Sequence, residues 1–280
     1  MLLSSVAYPR RRARAVVVAA VVAALVVVPL AACGPEAGPA SEEGPSRSAS
    51  PGSTVPVSPA PNPAPTAAPA PTPTRAPPFD RSELSVVDPV SLWVVSNKRR
   101  PLQPTDYVPA DLVSVPVAHT NAPSLRREAA DAVVALVQAA RTEAGLELQS
   151  LSAYRSYSTQ VSVYNGVVAN QGQKAADLVS ARPGHSEHQT GLAIDFGSIP
   201  QVCSLQPCFG ETLHGVWLAE NAGRFGFHLR YPSGATPVTG FSYEPWHFRY
   251  VGVSLAAELR STGVTTLEQF FGLPAAPDYR

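Results

Sequence analysis

The sequence predicts an α+β domain, a small antiparallel sheet with helices packed on it. Three observations carry that expectation. One long segment has helical periodicity with a single apolar stripe, several short runs hold strand-type residues, and the two kinds follow each other in irregular order. The regular βαβ alternation of a wound parallel sheet is not seen.

Taken in order, Ser91 to Ser96 (SLWVVS) is a short β-prone run, and Asn97 to Pro109 is rich in turn formers. A helix opens at Pro123 and runs to about Ala144, where Gly145 closes it. Within it Leu125, Ala129, Ala132, Val133, Leu136, Val137 and Ala140 recur at steps of three and four, which places them on one face for burial. Leu146 to Ser152 alternates as a strand does, and Ser158 to about Gln171 reads as a second helix. Gly191 to Phe196 is β-prone, and Val216 to Phe225 is a third helix, closed by Gly226. Phe227 to Tyr231 and Trp246 to Val251 complete the set as strands.

The 280 residues are not uniformly foldable. Of 30 prolines, 14 lie between Pro35 and Pro78, in a stretch poor in aromatic and branched aliphatic residues. Such a composition cannot bury enough apolar surface to offset the entropy of ordering. Residues 34–84 are therefore expected to be a Pro/Ala-rich disordered linker, reaching roughly 150 Å if extended at about 3.1 Å per residue. The folded domain is expected over residues 85–280, an ordinary size for one core.

Ahead of the linker, Arg10, Arg11, Arg12 and Arg14 precede an apolar run from Ala15 to Leu30. That run is shorter than the roughly 20 residues that span a bilayer, and it ends in Leu30-Ala31-Ala32-Cys33. The ending resembles the lipobox of bacterial lipoproteins, which implies a signal peptide over residues 1–33 and a lipid on Cys33. The domain would then be extracytoplasmic, anchored to the outer face of the membrane. A plain cleaved signal or a retained anchor would also place it outside the cytoplasm. Export leaves Cys203 and Cys208 as an even pair in an oxidising compartment, so a local disulfide is expected. The formal net charge is zero, and no cationic block follows the leader. Nucleic acid is excluded as a partner on that ground.

Two segments concentrate ligand-type side chains beside glycine and proline. The first is Pro183 to Asp195 (PGHSEHQTGLAID), the second Tyr243 to Arg249 (YEPWHFR). A catalytic zinc site uses three protein ligands, often two imidazoles and a carboxylate, and keeps a fourth position for water. A separate carboxylate then takes the water's proton. His188, Asp195, His247 and Glu244 meet that inventory, although spacing alone leaves His185 open as the first ligand.

The pattern Ser186-x-His188-x-x-Gly191-x-Ala193-x-Asp195, with Glu244-x-Trp246-His247, resembles the VanY-type D-alanyl-D-alanine carboxypeptidases. These zinc peptidases are related to L,D-carboxypeptidases and D-Ala-D-Ala dipeptidases. The likeness runs from about Leu92 to Glu268 and includes Ser152 to Tyr157 (SAYRSY), Trp217 to Ala222 (WLAENA), Gly226 to Tyr231 (GFHLRY) and Glu244 to Gly252 (EPWHFRYVG). It implies the hedgehog-like fold of that family and one Zn²⁺ held by His188, Asp195 and His247. It also implies Glu244 as catalytic base and peptidoglycan stem peptides as substrate. Arg155, Gln160, Ser186 and Tyr231 fall where the family's substrate pocket lies. Each has a plainer alternative: an ion pair for Arg155, a solvated helix face for Gln160, a turn cap for Ser186 and core packing for Tyr231. His185 and Glu187 read as ordering groups beside the ligands. The chain's two lysines, Lys98 and Lys174, complete no Ser-x-x-Lys motif, so no acyl-enzyme is implied. Rival readings are an L,D-carboxypeptidase acting on tetrapeptide stems, a dipeptidase, and a non-catalytic wall-binding zinc module.

Overall fold

The computed structural model describes residues 78–279. The signal segment with Cys33, and the linker as far as residue 77, lie outside the described residues.

The strands come first in pairs. β1 (Leu112–Ser114) and β2 (Ser124–Arg126) form a two-stranded antiparallel ribbon. Helix α1 (Arg127–Ala144) follows directly, and Gly145 ends it in the left-handed conformation at φ 66°. The structure thus gives Ser124–Arg126 to a strand where helical periodicity alone extends the helix to Pro123. The predicted stripe is real: Leu125, Ala129, Val133, Leu136 and Ala140 are fully buried. β3 (Leu148–Ser152) leads to α2 (Tyr157–Gln171), whose N-cap Ser156 accepts from the amide of Thr159. Helix α3 (Gln173–Val179) turns back after Gly172.

A 3-10 turn (Glu187–Thr190) feeds β4 (Ala193–Ser198). Helix α4 (Leu213–Asn221) and a 3-10 turn (Ala222–Phe225) make up the third predicted helix, closed by Gly226 as expected. β5 (Phe227–Leu229), α5 (Thr236–Thr239), β6 (His247–Tyr250), α6 (Val253–Thr262) and α7 (Leu267–Phe270) complete the domain. β3, β4, β6 and β5 lie side by side in that order, every pair antiparallel. This is the α+β architecture the sequence predicts.

Strand alternation separates two jobs. Ile194, Phe196, Phe248 and Tyr250 point into the main core with the α1 stripe and Phe227. Their neighbours Asp195, His247 and Arg249 therefore take the opposite face. A second core gathers Trp93, Val95, Val251, Leu255, Leu259, Leu267 and Phe270. It corrects one expectation: Ser91–Ser96 is a turn and an extended segment, not a strand. Its hydrophobic side chains are buried by α6 and α7, and the Trp93 indole donates to the carbonyl of Val251. Phe79 stacks on Trp93 and meets the edge of Phe270, and Leu84 packs on the same core, so among the described residues packing extends ahead of residue 85 into the stretch read as linker. Among the described residues no helix is long and apolar enough to cross a membrane.

Candidate active site

The register of two central strands sets the site. Asp195 of β4 lies directly opposite His247 of β6, which brings Nδ1 of His247 within 3.2 Å of Asp195 Oδ1. The third member arrives from the turn before β4, where Nε2 of His188 lies 3.3 Å from Asp195 Oδ2. Donor atoms of His188, Asp195 and His247 all fall within 4.8 Å of one another, and all three residues are buried.

The imidazoles face the cluster by opposite nitrogens. Nδ1 of His188 lies 2.7 Å from the carbonyl of Ala153. A carbonyl can only accept, so Nδ1 carries the proton and Nε2 turns its lone pair inward. His247 is reversed: Nδ1 faces Asp195, while Nε2 faces a carboxylate oxygen of Glu187 at 3.5 Å.

This donor set fits a divalent cation. Asp195 Oδ1 is buried without a hydrogen-bond partner, which is costly unless something positive meets it. Two imidazoles and a carboxylate are the donors zinc selects. The metal-free electrostatics say the same. Burial alone would raise the pKa of Asp195, but His188 and His247 hold it well below the carboxylate range. Burial works against a charged His247 as well, yet Asp195 and Glu187 push it up to about 9. Both shifts show that the buried carboxylates favour positive charge beside them. Glu244 stands just outside the set, with Oε2 at 3.8 Å from Nδ1 of His247. Burial first, and the charge of Asp195 after it, push its carboxyl up to about 8.

The cluster forms the floor of a cleft of about 510 Å³. Arg155, Ser186, Tyr231 and Glu244 line it. Arg155 donates to Gln160 Oε1 at 2.8 Å and to Ser152 Oγ at 3.0 Å. Gln160 is different. It is fully buried beneath Arg155, and its amide donates to Ala181 and Ser180. It steadies the arginine and does not line the cleft. The Tyr231 ring packs 4.8 Å from that of His247. His185 turns away, its Nδ1 2.7 Å from the carbonyl of Asn97 and its ring edge-on to Tyr279. Its candidacy as first ligand therefore fails on position. Cys203 and Cys208 are disulfide-bonded, and Leu205 and Pro207 within that loop reach the rim of the cleft. Sequence reasoning did not anticipate that wall, because no local pattern says where a six-residue loop will lie.

Comparison with known proteins agrees with this geometry. The family described as VanY, D-alanyl-D-alanine carboxypeptidase, matches residues 122–253, a stretch that holds the three clustered donors, Glu244 and Arg155. YodJ of Bacillus subtilis (strain 168), named as a candidate carboxypeptidase, is 38% identical over 192 residues, 67% of this chain and 69% of that protein. The solved structure of the LdcB LD-carboxypeptidase aligns with a TM-score of 0.60 at 38% identity, over 66% of this chain and 87% of that one. A mutant of the D,D-pentapeptidase VanY from a VanB-type resistance cassette, solved with Zn(II), aligns with a TM-score of 0.54 at 31% identity, over 63% and 97% respectively. The chain belongs to the VanY family of D-alanyl-D-alanine carboxypeptidases.

Proposed function

We propose that this protein is a zinc-dependent D,D-carboxypeptidase that removes the terminal D-alanine from peptidoglycan stem peptides. The observation that carries the reading is the buried His188–Asp195–His247 donor set with a fourth acidic group, Glu244, beside it but not in it. A purely structural metal site has no use for that extra carboxylate.

His188, Asp195 and His247 would hold one Zn²⁺. Bound there, zinc supplies Lewis acidity, which brings the acidity of water near neutrality and polarises the scissile carbonyl. Glu244 Oε2 then accepts the proton of the attacking water and passes it to the leaving D-alanine amine. A carboxylate whose own affinity for a proton is raised by burial is suited to both halves of that transfer. Arg155, steadied by Gln160 and Ser152, offers guanidinium hydrogen bonds to the substrate's terminal carboxylate or to oxygen that becomes negative during attack. Ser186 and Tyr231 shape the pocket around the terminal residue.

A second reading, L,D-carboxypeptidase on tetrapeptide stems, is favoured by the LdcB likeness, at 38% identity and a TM-score of 0.60. Incubating the zinc-loaded protein with tripeptide, tetrapeptide and pentapeptide stems and weighing the products separates the two. Loss of one alanine from the pentapeptide, with the tetrapeptide left whole, is the expected result. Cleavage of the tetrapeptide instead establishes the L,D reading. A zinc-loaded protein that cleaves neither yet binds cell wall is a binding module. We further propose export by the leader over residues 1–33 with a lipid at Cys33, on the Arg-rich start, apolar run and LAAC ending of that segment.

A further inference from the structure

Glu187 takes no part in the chemistry above, yet its carboxylate is held by two buried arginines. Its Oε1 accepts from Arg230 Nε at 2.8 Å and from Arg249 Nη1 at 3.2 Å. Both guanidiniums are fixed in turn. Arg230 donates its two remaining nitrogens to Glu268 at 3.0 and 2.7 Å, and Asn97 donates to the same carboxylate at 2.9 Å. Arg249 donates to the carbonyls of Leu92 and Tyr250. The side chains of Glu187, Arg230 and Arg249 are 0% exposed.

Such an assembly is an expensive way to fill a core. Two arginines and two glutamates lose their hydration, and apolar side chains of like volume would stabilise the fold as well or better. What the network provides is a single carboxylate oxygen, Glu187 Oε2, which no hydrogen bond inside the network uses. It faces Nε2 of His247, an atom equally buried and equally unpartnered, at 3.5 Å. The carboxylate cannot swing away, since two clamped guanidiniums hold its other oxygen. The imidazole of His247 thus turns its Nδ1 to Asp195 and its Nε2 to Glu187. His188 is oriented by a neutral carbonyl, that of Ala153. A charged acceptor behind a ligand histidine fixes its ring and makes its inward nitrogen a stronger donor.

We infer that Glu187 is a positioning residue for His247, holding that ring so that Nδ1 is presented to the metal, and that Arg230 and Arg249 hold Glu187 in place. The inference rests on reading His247 as a metal donor.

The test measures zinc affinity by competition with a chromophoric chelator in the full chain, alongside the visible spectrum of the cobalt-substituted protein. Glu187→Gln keeps the shape and removes the charge, and should weaken zinc binding roughly 10- to 100-fold and alter the cobalt spectrum. Glu268→Gln strips a charge from the same network without touching His247. It should lower thermal stability while leaving affinity and spectrum as in the parent. Because Glu187→Gln leaves two arginines facing one carboxylate, a charge-balanced variant, Glu187→Gln with Arg249→Met, covers the case in which the single variant does not fold. It should show the same loss of affinity. An unchanged affinity in either Glu187 variant overturns the inference, as does an equal loss in Glu268→Gln, which would make the network merely structural. A parent protein that takes up no zinc removes the underlying reading together with the inference. Normal uptake by the parent and by Glu187→Gln removes the inference alone.

Discussion

Glu244 and His247 sit on one turn, where the amide of His247 donates to the carbonyl of Glu244 and the amide of Glu244 donates to Tyr231. That turn aims the imidazole into the donor set and stops the carboxylate short of it, at 3.8 Å. The difference separates a ligand from a base. Glu244→Gln preserves shape and hydrogen bonding but cannot accept a proton, so zinc content should remain at one per chain while kcat on stem peptide falls by about 10²- to 10⁴-fold. Metal analysis and steady-state kinetics on the same preparation provide the check. Undiminished turnover would mean that another group activates the water. Loss of zinc would instead make Glu244 a ligand. Arg155 is legible at this scale as well. Its contacts with Gln160 and Ser152 hold the guanidinium at the cleft without using all of its donors.

Between His188 and Asp195 the chain must end a 3-10 turn and enter a strand within a few residues, and Gly191 makes that possible. It adopts φ 68°, its amide donates to His188, and its carbonyl accepts from Arg126 at 2.9 Å. A methyl group there would lie 2.9 Å from Leu112 and 3.1 Å from Arg126. Gly191→Ala should therefore cost about 1–2 kcal/mol from the left-handed backbone alone, and weaken zinc binding by shifting His188 relative to Asp195. A urea titration with and without zinc measures both effects, and an unmoved midpoint would show that the turn tolerates a side chain. The motif around this glycine was readable through its resemblance to the VanY-type pattern, spacing alone leaving His185 open, and the α1 stripe was readable from its period, because both are local patterns. The pairing of Asp195 with His247 was not, since strands 52 residues apart in sequence meet only through the order β3-β4-β6-β5. The partners of Glu187 were hidden for the same reason: its arginines lie 43 and 62 residues away. Ser91–Ser96 misleads because Trp93 and Val95 are hydrophobic for the sake of α6 and α7, not of a ladder. Elements as short as β1, α5 and α7 are too brief to display a period at all.

At the scale of the domain, two apolar cores flank a layer of buried charge. Leu92 packs against both cores, and its carbonyl accepts from Arg249, one of the two arginines on Glu187. The donor cluster sits on this layer and draws on three separate pieces of chain: the 3-10 turn, β4 and β6. A cation bound there ties them together in the folded state and has no comparable site in the unfolded one. Binding then adds RT ln(1 + [L]/Kd) to stability, about 4 kcal/mol when free zinc is a thousand times its Kd. For a domain of about 200 residues each kcal/mol moves the midpoint by roughly 2–4 °C, so chelation should lower Tm by about 8–16 °C and added zinc should restore it. His188→Ala and His247→Ala should melt without regard to zinc. His185→Ala should keep the full zinc response, because that ring bonds Asn97 and stands apart from the cluster. Scanning calorimetry of the four proteins, each with chelator and with zinc, reads this directly. If chelation leaves the parent's transition where it was, the cluster does not bind zinc in the folded protein. If His185→Ala alone abolishes the response, the donor set has been drawn around the wrong histidine.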